Sequence, residues 1–147
     1  MKVPVTAASR DRRSAESGNE GLLAFRGTVY PWQLDHMGHM NVMHYVNMFD
    51  QATWNLFAAV GLTASFLRGA GRGTAAVDQH LTYARELFPG DTVSVHSVML
   101  EVKERSLRFR HTMRHDESGT TAATCVLKAV YIDSAVRLTK GESLYDV

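Results

Sequence analysis

Apolar residues recur at helical spacing between positions 42 and 60 and predict one long α-helix there. The stripe consists of Val42, Tyr45, Val46, Phe49, Ala52, Thr53, Leu56 and Val60, with Thr53 counted as semi-apolar. Asn41 is a favourable N-cap, and Gly61 stands where a helix commonly ends. The other faces of the helix carry Met43, Met48, Trp54 and Phe57. A helix this apolar needs broad cover, which a curved sheet supplies.

Alternating apolar and polar residues predict strands before and after this helix. One strand precedes it, at 22–30, and is closed by Pro31. Four follow it, at 74–83, 93–102, 107–114 and 120–133. The last three are joined by short segments and should form an antiparallel meander. The element order predicts an α+β fold in which a five-stranded antiparallel sheet wraps around one long central helix.

Details of the pattern predict how individual strands lie in this sheet. The apolar parity changes between Val95 and Val98, which predicts a β-bulge near Ser97. In 107–114, apolar residues and a histidine alternate with polar residues, mostly arginines, so one face should be buried and the other basic and solvated. The segment 120–133 is apolar on both faces, which is typical of a strand inside a sheet.

Length and composition indicate a single folded domain. The chain has 147 residues, of which 45% are hydrophobic and 21% are charged, an ordinary globular composition. Residues 1–20 are rich in Ser, Arg and Glu and lack periodicity. We therefore expect a disordered leader over 1–20, a domain over 21–140 and a C-terminal tail over 141–147.

Charge, hydropathy and cysteine content exclude several classes of protein. The formal net charge of +1 argues against a nucleic-acid-binding protein, which would carry a basic excess. No apolar run approaches the ~20 residues of a bilayer span, so no membrane association is expected. The single cysteine, Cys125, cannot form an internal disulfide, which favours the cytoplasm. It falls within a predicted strand, so we expect a buried, unreactive thiol.

The segment 31–41 carries the candidate chemistry. It holds an acid, Asp35, two histidines, His36 and His39, and Gly38, and it leads into a helix N-terminus. Free amides at a helix N-terminus can hold a developing negative charge, while an adjacent acid attacks an acyl group or activates water. In the alternative interpretation Asp35 is a loop residue that only caps nearby N–H groups.

The same segment resembles the hotdog-fold acyl-CoA thioesterases of the 4-hydroxybenzoyl-CoA thioesterase type. The matching residues are Asp35, Gly38, His39, Asn41, Tyr45, Phe49 and Tyr83, followed by the sequence Pro-Gly-Asp at 89–91. The resemblance spans about residues 24 to 139 and agrees with the wrapped-helix prediction. It implies hydrolysis of an acyl-CoA thioester to a free acid and coenzyme A, without a metal or organic cofactor.

The resemblance also implies roles for individual residues. Asp35 matches the catalytic carboxylate, as general base or nucleophile, and the backbone N–H of Val42 matches the group that binds the thioester carbonyl. Gly38 and His39 belong to the same catalytic loop. Gln33 stands where many relatives have a second acid. The pattern is closest to thioesterases associated with carnitine and betaine breakdown, which leaves the acyl group open.

Four residues are candidates for substrate binding: Asn41, Met43, Tyr45 and Arg85. Methionines can line an adaptable acyl pocket, aromatic rings can enclose a quaternary ammonium, and arginines can meet the phosphates of coenzyme A. Core packing, helix capping and a solvated surface are the competing explanations. A zinc site of His36, His39 and His44 would be short of ligands, so no metal is expected.

Two other functions compete with thioester hydrolysis. A hotdog hydratase or dehydratase would need His36, His39 or His80 to face the substrate beside a carboxylate. A non-catalytic acyl-CoA-binding protein on the same fold should lack the catalytic acid, which this chain keeps. In each case an open edge strand predicts a homodimer or homotetramer.

Overall fold

The computed structural model describes residues 21–133, which form one five-stranded antiparallel sheet and a long helix. The elements are β1 (Leu22–Thr28), a 3-10 turn (Pro31–Gln33), α1 (Val42–Ala59), α2 (Ala64–Gly69), β2 (Gly73–Tyr83), β3 (Thr92–Val102), β4 (Ser106–His115) and β5 (Thr121–Ile132). The strand order is β1-β3-β4-β5-β2, and every neighbouring pair is antiparallel. The predicted α+β architecture and the β3-β4-β5 meander are confirmed. The predicted leader over 1–20 and tail over 141–147 lie outside the described residues.

Helix α1 begins and ends where its capping residues predict. The Asn41 side chain accepts a hydrogen bond from the Met43 amide at 3.1 Å, which satisfies one of the unpaired N–H groups of the first turn. At the other end, Gly61 has φ +92°, a conformation that glycine adopts without strain. The helix covers 18 residues, a length of about 27 Å.

The sheet covers one face of α1. The buried helix residues are Tyr45, Met48, Phe49, Ala52, Thr53, Leu56 and Phe57. Val42, Val46 and Val60, which the periodicity assigned to the buried stripe, are exposed instead. The sheet lies on one side of the helix, so it buries the stripe through Met48 and Phe57 and leaves the opposite apolar face open.

A polar link runs through the core between α1 and the sheet. His111 of β4 is fully buried, and its ring nitrogens lie 2.6 Å from the Ser97 hydroxyl and 2.8 Å from the Thr53 hydroxyl. The ring stacks on Phe49 and meets Phe109 edge-on. Burial lowers the pKa of His111 to about 4, so the imidazole is neutral at physiological pH.

The bulge in β3 lies later than the parity change predicted. Register shifts fall between Met99 and Glu101 in β3 and between Leu23 and Phe25 in β1, so the prediction of a bulge near Ser97 is wrong. Ser97 lies on the inner face with Val93 and Val95, because the alternation of β3 is unbroken there, and its hydroxyl is satisfied by His111. A buried serine there made the apolar pattern look as if the strand had changed phase.

Interior and edge strands of the sheet differ in how far they are buried. β4 and β5 are interior strands with the predicted burial, including a fully buried Cys125 whose thiol pKa burial raises to about 11. β2 is an edge strand, and its residues 76–80 are exposed. The short helix α2, capped by Thr63, was not predicted. Within 21–133, no helix is long and apolar enough to span a membrane.

Candidate active site

The loop before α1 is closed by its own backbone. Leu34 and Met40 form a β-bridge, the Asp35 amide donates to the His39 carbonyl at 3.0 Å, and the Gly38 amide donates to the Asp35 carbonyl at 3.0 Å. Gly38 has φ +84°, a backbone conformation that disfavours any residue with a Cβ. A Cβ there would meet no atom within 4 Å. The glycine is therefore required by the turn and not by a close contact.

Both carboxylate oxygens of Asp35 have partners within this loop. Oδ1 accepts the Met37 amide at 2.8 Å, and Oδ2 lies 3.2 Å from Nε2 of His39. The Asp35 side chain keeps 23% of its surface exposed, so water can reach it. The loop thus orients the carboxylate without enclosing it.

His39 lies between two carboxylates. Its Nδ1 is 2.8 Å from Oε1 of Glu86, while its Nε2 faces Asp35. The hydrogen bond to Glu86 raises the pKa of His39 above its usual value, and the charge of Asp35 adds to this increase against partial desolvation. The contact with Glu86 spans 47 residues of sequence, and no local motif predicted it.

The segment after β2 brings Glu86 to this position. The amides of Ala84 and Arg85 both donate to the Ala122 carbonyl, at 2.8 and 3.1 Å. On its other side, the Met40 amide donates to the Leu87 carbonyl at 2.8 Å. The segment 84–87 is therefore fixed between the start of β5 and the loop that carries Asp35.

Tyr45 ties the same segment to α1. Its ring is buried and meets Tyr83 edge-on, and its hydroxyl donates to the Arg85 carbonyl at 3.0 Å. Burial raises the pKa of Tyr45 to about 12, so the phenol stays protonated and remains a donor. Tyr45 supports the site wall as well as lining the space beside it.

A cavity of about 280 Å³ lies between the loop, the start of α1 and this segment. Its lining consists of His39, Met40, Val42, Tyr45, Tyr83, Ala84, Arg85 and Glu86. In the described part of the chain no acceptor is bonded to the Val42 amide, which lies in the first turn of α1. Asp35 is not on the lining, but His39, its direct partner, is.

Arg85 presents a cation at the rim of the cavity. Its Nη1 donates to the hydroxyls of Ser118 and Thr120 at 3.0 and 3.1 Å. These bonds hold the guanidinium beside the turn between β4 and β5. A fixed guanidinium with further N–H groups can bind a phosphate or a carbonyl oxygen.

The remaining predicted substrate residues lie away from this cavity or already have a partner. The Asn41 side-chain oxygen caps α1 through Met43. Met43 is exposed and lines a second space of about 310 Å³ between α1 and the strands β2 and β5. That space also contacts Phe49 and Asp50 of α1 and Gln79 of β2.

Of the three histidines considered for zinc, His39 has partners on both sides of its ring. Both ring nitrogens of His39 face carboxylates. In residues 21–133, the side chains that approach metal-site geometry are Asp91, His115 and Glu117, whose ligand atoms lie within 4.8 Å of one another. Both nitrogens of His115 already have partners, Asp91 and Ser118, so this group is explained as a support of the neighbouring turns.

The fold and its site define a class of protein. One long helix lies on a five-stranded antiparallel sheet, as in hotdog-fold proteins, and a loop that carries an acid and a histidine leads into the helix N-terminus. The sequence matches the family model of the Thioesterase-like superfamily over residues 29–141. The chain therefore belongs to this superfamily.

Two curated proteins are similar to part of this chain. It is 28% identical over 106 residues to an L-carnitine dehydrogenase/betainyl-CoA thioesterase of Agrobacterium fabrum, covering 72% of this chain and 22% of that protein. It is 26% identical over 102 residues to a betainyl-CoA thioesterase of Pseudomonas aeruginosa, covering 69% of this chain and 64% of that protein. The chain thus spans less than two thirds of either relative.

Solved structures support the fold. A Staphylococcus aureus protein solved in complex with CoA has a TM-score of 0.74 and 24% identity, covering 80% of this chain and 74% of that one. A probable thioesterase from Escherichia coli has a TM-score of 0.67 and 18% identity, covering 76% and 84%. At these identities the likeness establishes the hotdog fold alone.

Proposed function

We propose that this chain hydrolyses an acyl-CoA thioester to a free acid and coenzyme A. The observation that carries the proposal lies at the wall of one cavity. There the Val42 amide has no bonded acceptor among residues 21–133, and His39, which also lines the cavity, contacts Asp35. The amide would hold the thioester carbonyl oxygen and stabilise the negative charge that develops there. Asp35, which contacts His39 but does not line the cavity, would act as the base.

The position of Asp35 favours a general base over a nucleophile. Because Asp35 does not line the cavity, a water molecule between its carboxylate and the thioester is the simpler route. Asp35 takes a proton from the water, the water oxygen attacks the carbonyl carbon, and the tetrahedral intermediate expels the CoA thiolate. The proton then passes to the thiolate, which regenerates Asp35.

Arg85 and the names of the two relatives indicate which substrate to test. The guanidinium at the cavity rim is suited to a phosphate or amide carbonyl of coenzyme A. The names of the two relatives make betainyl-CoA the first acyl-CoA to test. The proposal includes a cytoplasmic homodimer or homotetramer that needs no metal or organic cofactor.

A thiol-release assay against a panel of acyl-CoAs tests this function. The panel contains betainyl-CoA, straight-chain acyl-CoAs and an aromatic acyl-CoA, each with and without a chelator. We expect saturable release of CoA from at least one of them, unchanged by the chelator. Tight binding of acyl-CoA by calorimetry without any release would favour the non-catalytic binding protein instead.

A hydratase is the second candidate, because His39 lines the cavity beside two carboxylates. That is the arrangement of acid and histidine which such an enzyme requires. His80 lies on β2 and does not line this cavity. Loss of enoyl-CoA absorbance without release of thiol would support hydration, and release of thiol without it would support hydrolysis.

A further inference from the structure

We propose that Glu86 is a positioning residue of this site, which holds His39 so that the histidine donates a hydrogen bond to Asp35. The inference deepens the proposed function and rests on it, since it takes Asp35 as the base. None of the motifs in the chain points to Glu86. It follows from the contacts across the cavity wall.

The two carboxylates around His39 determine how many protons its ring carries. Ionised Asp35 and Glu86 offer only acceptors, and each faces one nitrogen of the same ring, at 3.2 and 2.8 Å. A neutral imidazole carries one N–H, so one of the two contacts would bring two lone pairs together. The imidazolium form satisfies both contacts, and charge-assisted hydrogen bonds of this kind are the stronger ones.

The doubly protonated His39 ring acts in turn on Asp35. An imidazolium donates through Nε2 to Oδ2 of Asp35, while the Met37 amide donates to Oδ1. Two donors, one on each oxygen, fix the orientation of the carboxylate that is proposed to act as the general base. Glu86 acts on Asp35 through His39, because it holds the other ring nitrogen.

Glu86 itself is held in place by the residues on either side of it. Its neighbours are fixed by backbone hydrogen bonds, with Arg85 bonded to Ala122 and Leu87 bonded to Met40. Leu87 is fully buried, which anchors the segment in the core. Glu86 thus faces His39 from a rigid wall, although its own side chain is 64% exposed.

The other charged or titratable groups around the cavity have different roles. Arg85 points its guanidinium at Ser118 and Thr120, the rings of Tyr45 and Tyr83 meet edge-on, and the Tyr45 hydroxyl donates to the Arg85 carbonyl. In the described chain, the charges that raise the pKa of His39 are those of Glu86 and Asp35. Removing the charge of Glu86 therefore lowers the pKa of His39 and leaves Asp35 as its one acidic neighbour.

The variant Glu86→Gln tests this assignment, with Glu101→Gln as the charge-matched control on β3, where Glu101 pairs with exposed Lys103. We expect Glu86→Gln to lower kcat about ten- to a hundred-fold with little change in KM, the scale of a misplaced catalytic group. The alkaline limb of its pH–kcat profile should move to lower pH, because His39 loses its second proton earlier. Glu101→Gln should leave both quantities unchanged.

A double-mutant cycle distinguishes action through His39 from an independent effect. In a His39→Gln background, Glu86→Gln should have almost no further effect on kcat, because the residues act as one unit. Equal losses in both backgrounds, or an unmoved alkaline limb, would overturn the inference.

An NMR titration reads the same contact without any turnover. The His39 ring resonance, assigned by its loss in His39→Gln, should titrate at lower pH in Glu86→Gln than in the wild type. Equal titration midpoints would refute the role of Glu86 even in an active enzyme. An inactive wild type with a shifted midpoint would refute the thioesterase proposal and leave the Glu86–His39 contact established.

Discussion

Thr53 of α1 and His111 of β4 are joined by a 2.8 Å hydrogen bond inside the core. The same hydroxyl donates to the Phe49 carbonyl one turn earlier in the helix. A hydroxyl that donates to a carbonyl must accept from the ring, so Nε2 of His111 carries the proton. Nδ1 is then an acceptor for the Ser97 hydroxyl, and the neutral ring has both nitrogens satisfied.

This buried ring predicts that the protein loses stability in mild acid. The pKa of His111 is about 4 in the folded state and about 6.5 in the unfolded chain. The unfolded state therefore binds the extra proton first, and the free energy of unfolding falls as pH drops from about 6.5 to about 4. We expect a loss on the order of 2–3 kcal/mol between pH 7.5 and 4.5 from this group.

Urea denaturation at the two pH values measures this loss. His111→Gln should be less stable at pH 7.5 but should lose less on acidification, because it has no imidazole to protonate. If the variant and the wild type lose the same free energy, another group governs the acid sensitivity.

Asp35→Asn tests the proposed base. The amide oxygen can still accept from Met37, but the group can no longer take a proton from water. We expect kcat to fall by roughly 10²–10⁴, the scale of a lost general base, with little change in KM because the Val42 amide and the cavity remain. Stability should change by no more than about 1 kcal/mol.

His39→Gln is the comparison for this variant and should show a smaller loss of kcat. A folded Asp35→Asn protein that keeps more than about a third of the wild-type rate would contradict the assignment, given the expected scale. Single-turnover hydrolysis in oxygen-18 water tests the route. A general base puts label in the product acid alone, so label found in Asp35 would contradict it and indicate an anhydride opened at the Asp35 carbon.

Gly38→Ala should weaken the loop through its backbone. With φ +84° and no atom within 4 Å of the position that the added methyl group would take, the cost is conformational and about 1–2 kcal/mol. Gly69→Ala is a matched control, since it also has open space but lies in helix α2. It should be neutral or slightly stabilising. Thermal unfolding of the two variants compares them, and equal melting temperatures would contradict a conformational cost at Gly38.

Cys125 should not react with thiol reagents in the native protein. Its side chain is fully buried, and burial raises its pKa to about 11, so the reactive thiolate is scarce at pH 8. Titration with a chromogenic disulfide should detect no thiol before denaturation and one thiol after it. Rapid native reaction would show that β5 opens readily.

The exposed edge at β2 predicts self-association. Val77 lies at the register shift of this strand and is 38% exposed, so Val77→Glu places a charge on the pairing edge. Light scattering should give at least twice the mass of one 16.3 kDa chain for the wild type and a lower mass for the variant. Val102→Glu, at an exposed strand end, is the control and should keep the wild-type mass. A monomeric wild type at micromolar concentration would contradict the prediction.

Local patterns predicted the elements well and the site only in part. The caps at Asn41 and Gly61 and the alternation in β4 are properties of neighbouring residues, so they can be read along the chain. The buried stripe of α1 was predicted with an error, because the side that the sheet covers depends on tertiary packing. The bulge was misplaced because Ser97 is polar and buried, satisfied by a histidine from another strand.

The site shows the same limit. Asp35, Gly38 and His39 stand close together in sequence, so a local motif is enough to propose them as site residues. Glu86 reaches His39 across 47 residues, so only the fold brings it there. The second role of Tyr45, as a donor to the Arg85 carbonyl, has the same origin.

The Ala122 carbonyl, which accepts two amides from the segment beside the cavity, has a consequence for ligand affinity. That wall is already ordered by folding, so a ligand need not pay for ordering it when it binds. Amide hydrogen exchange should accordingly be slow at Met40, Ala84 and Arg85 in the free protein and should slow little further when a ligand enters. Selectivity among ligands would then depend on how well the shape of each ligand fits the preformed cavity, since the wall has little freedom to change its own shape.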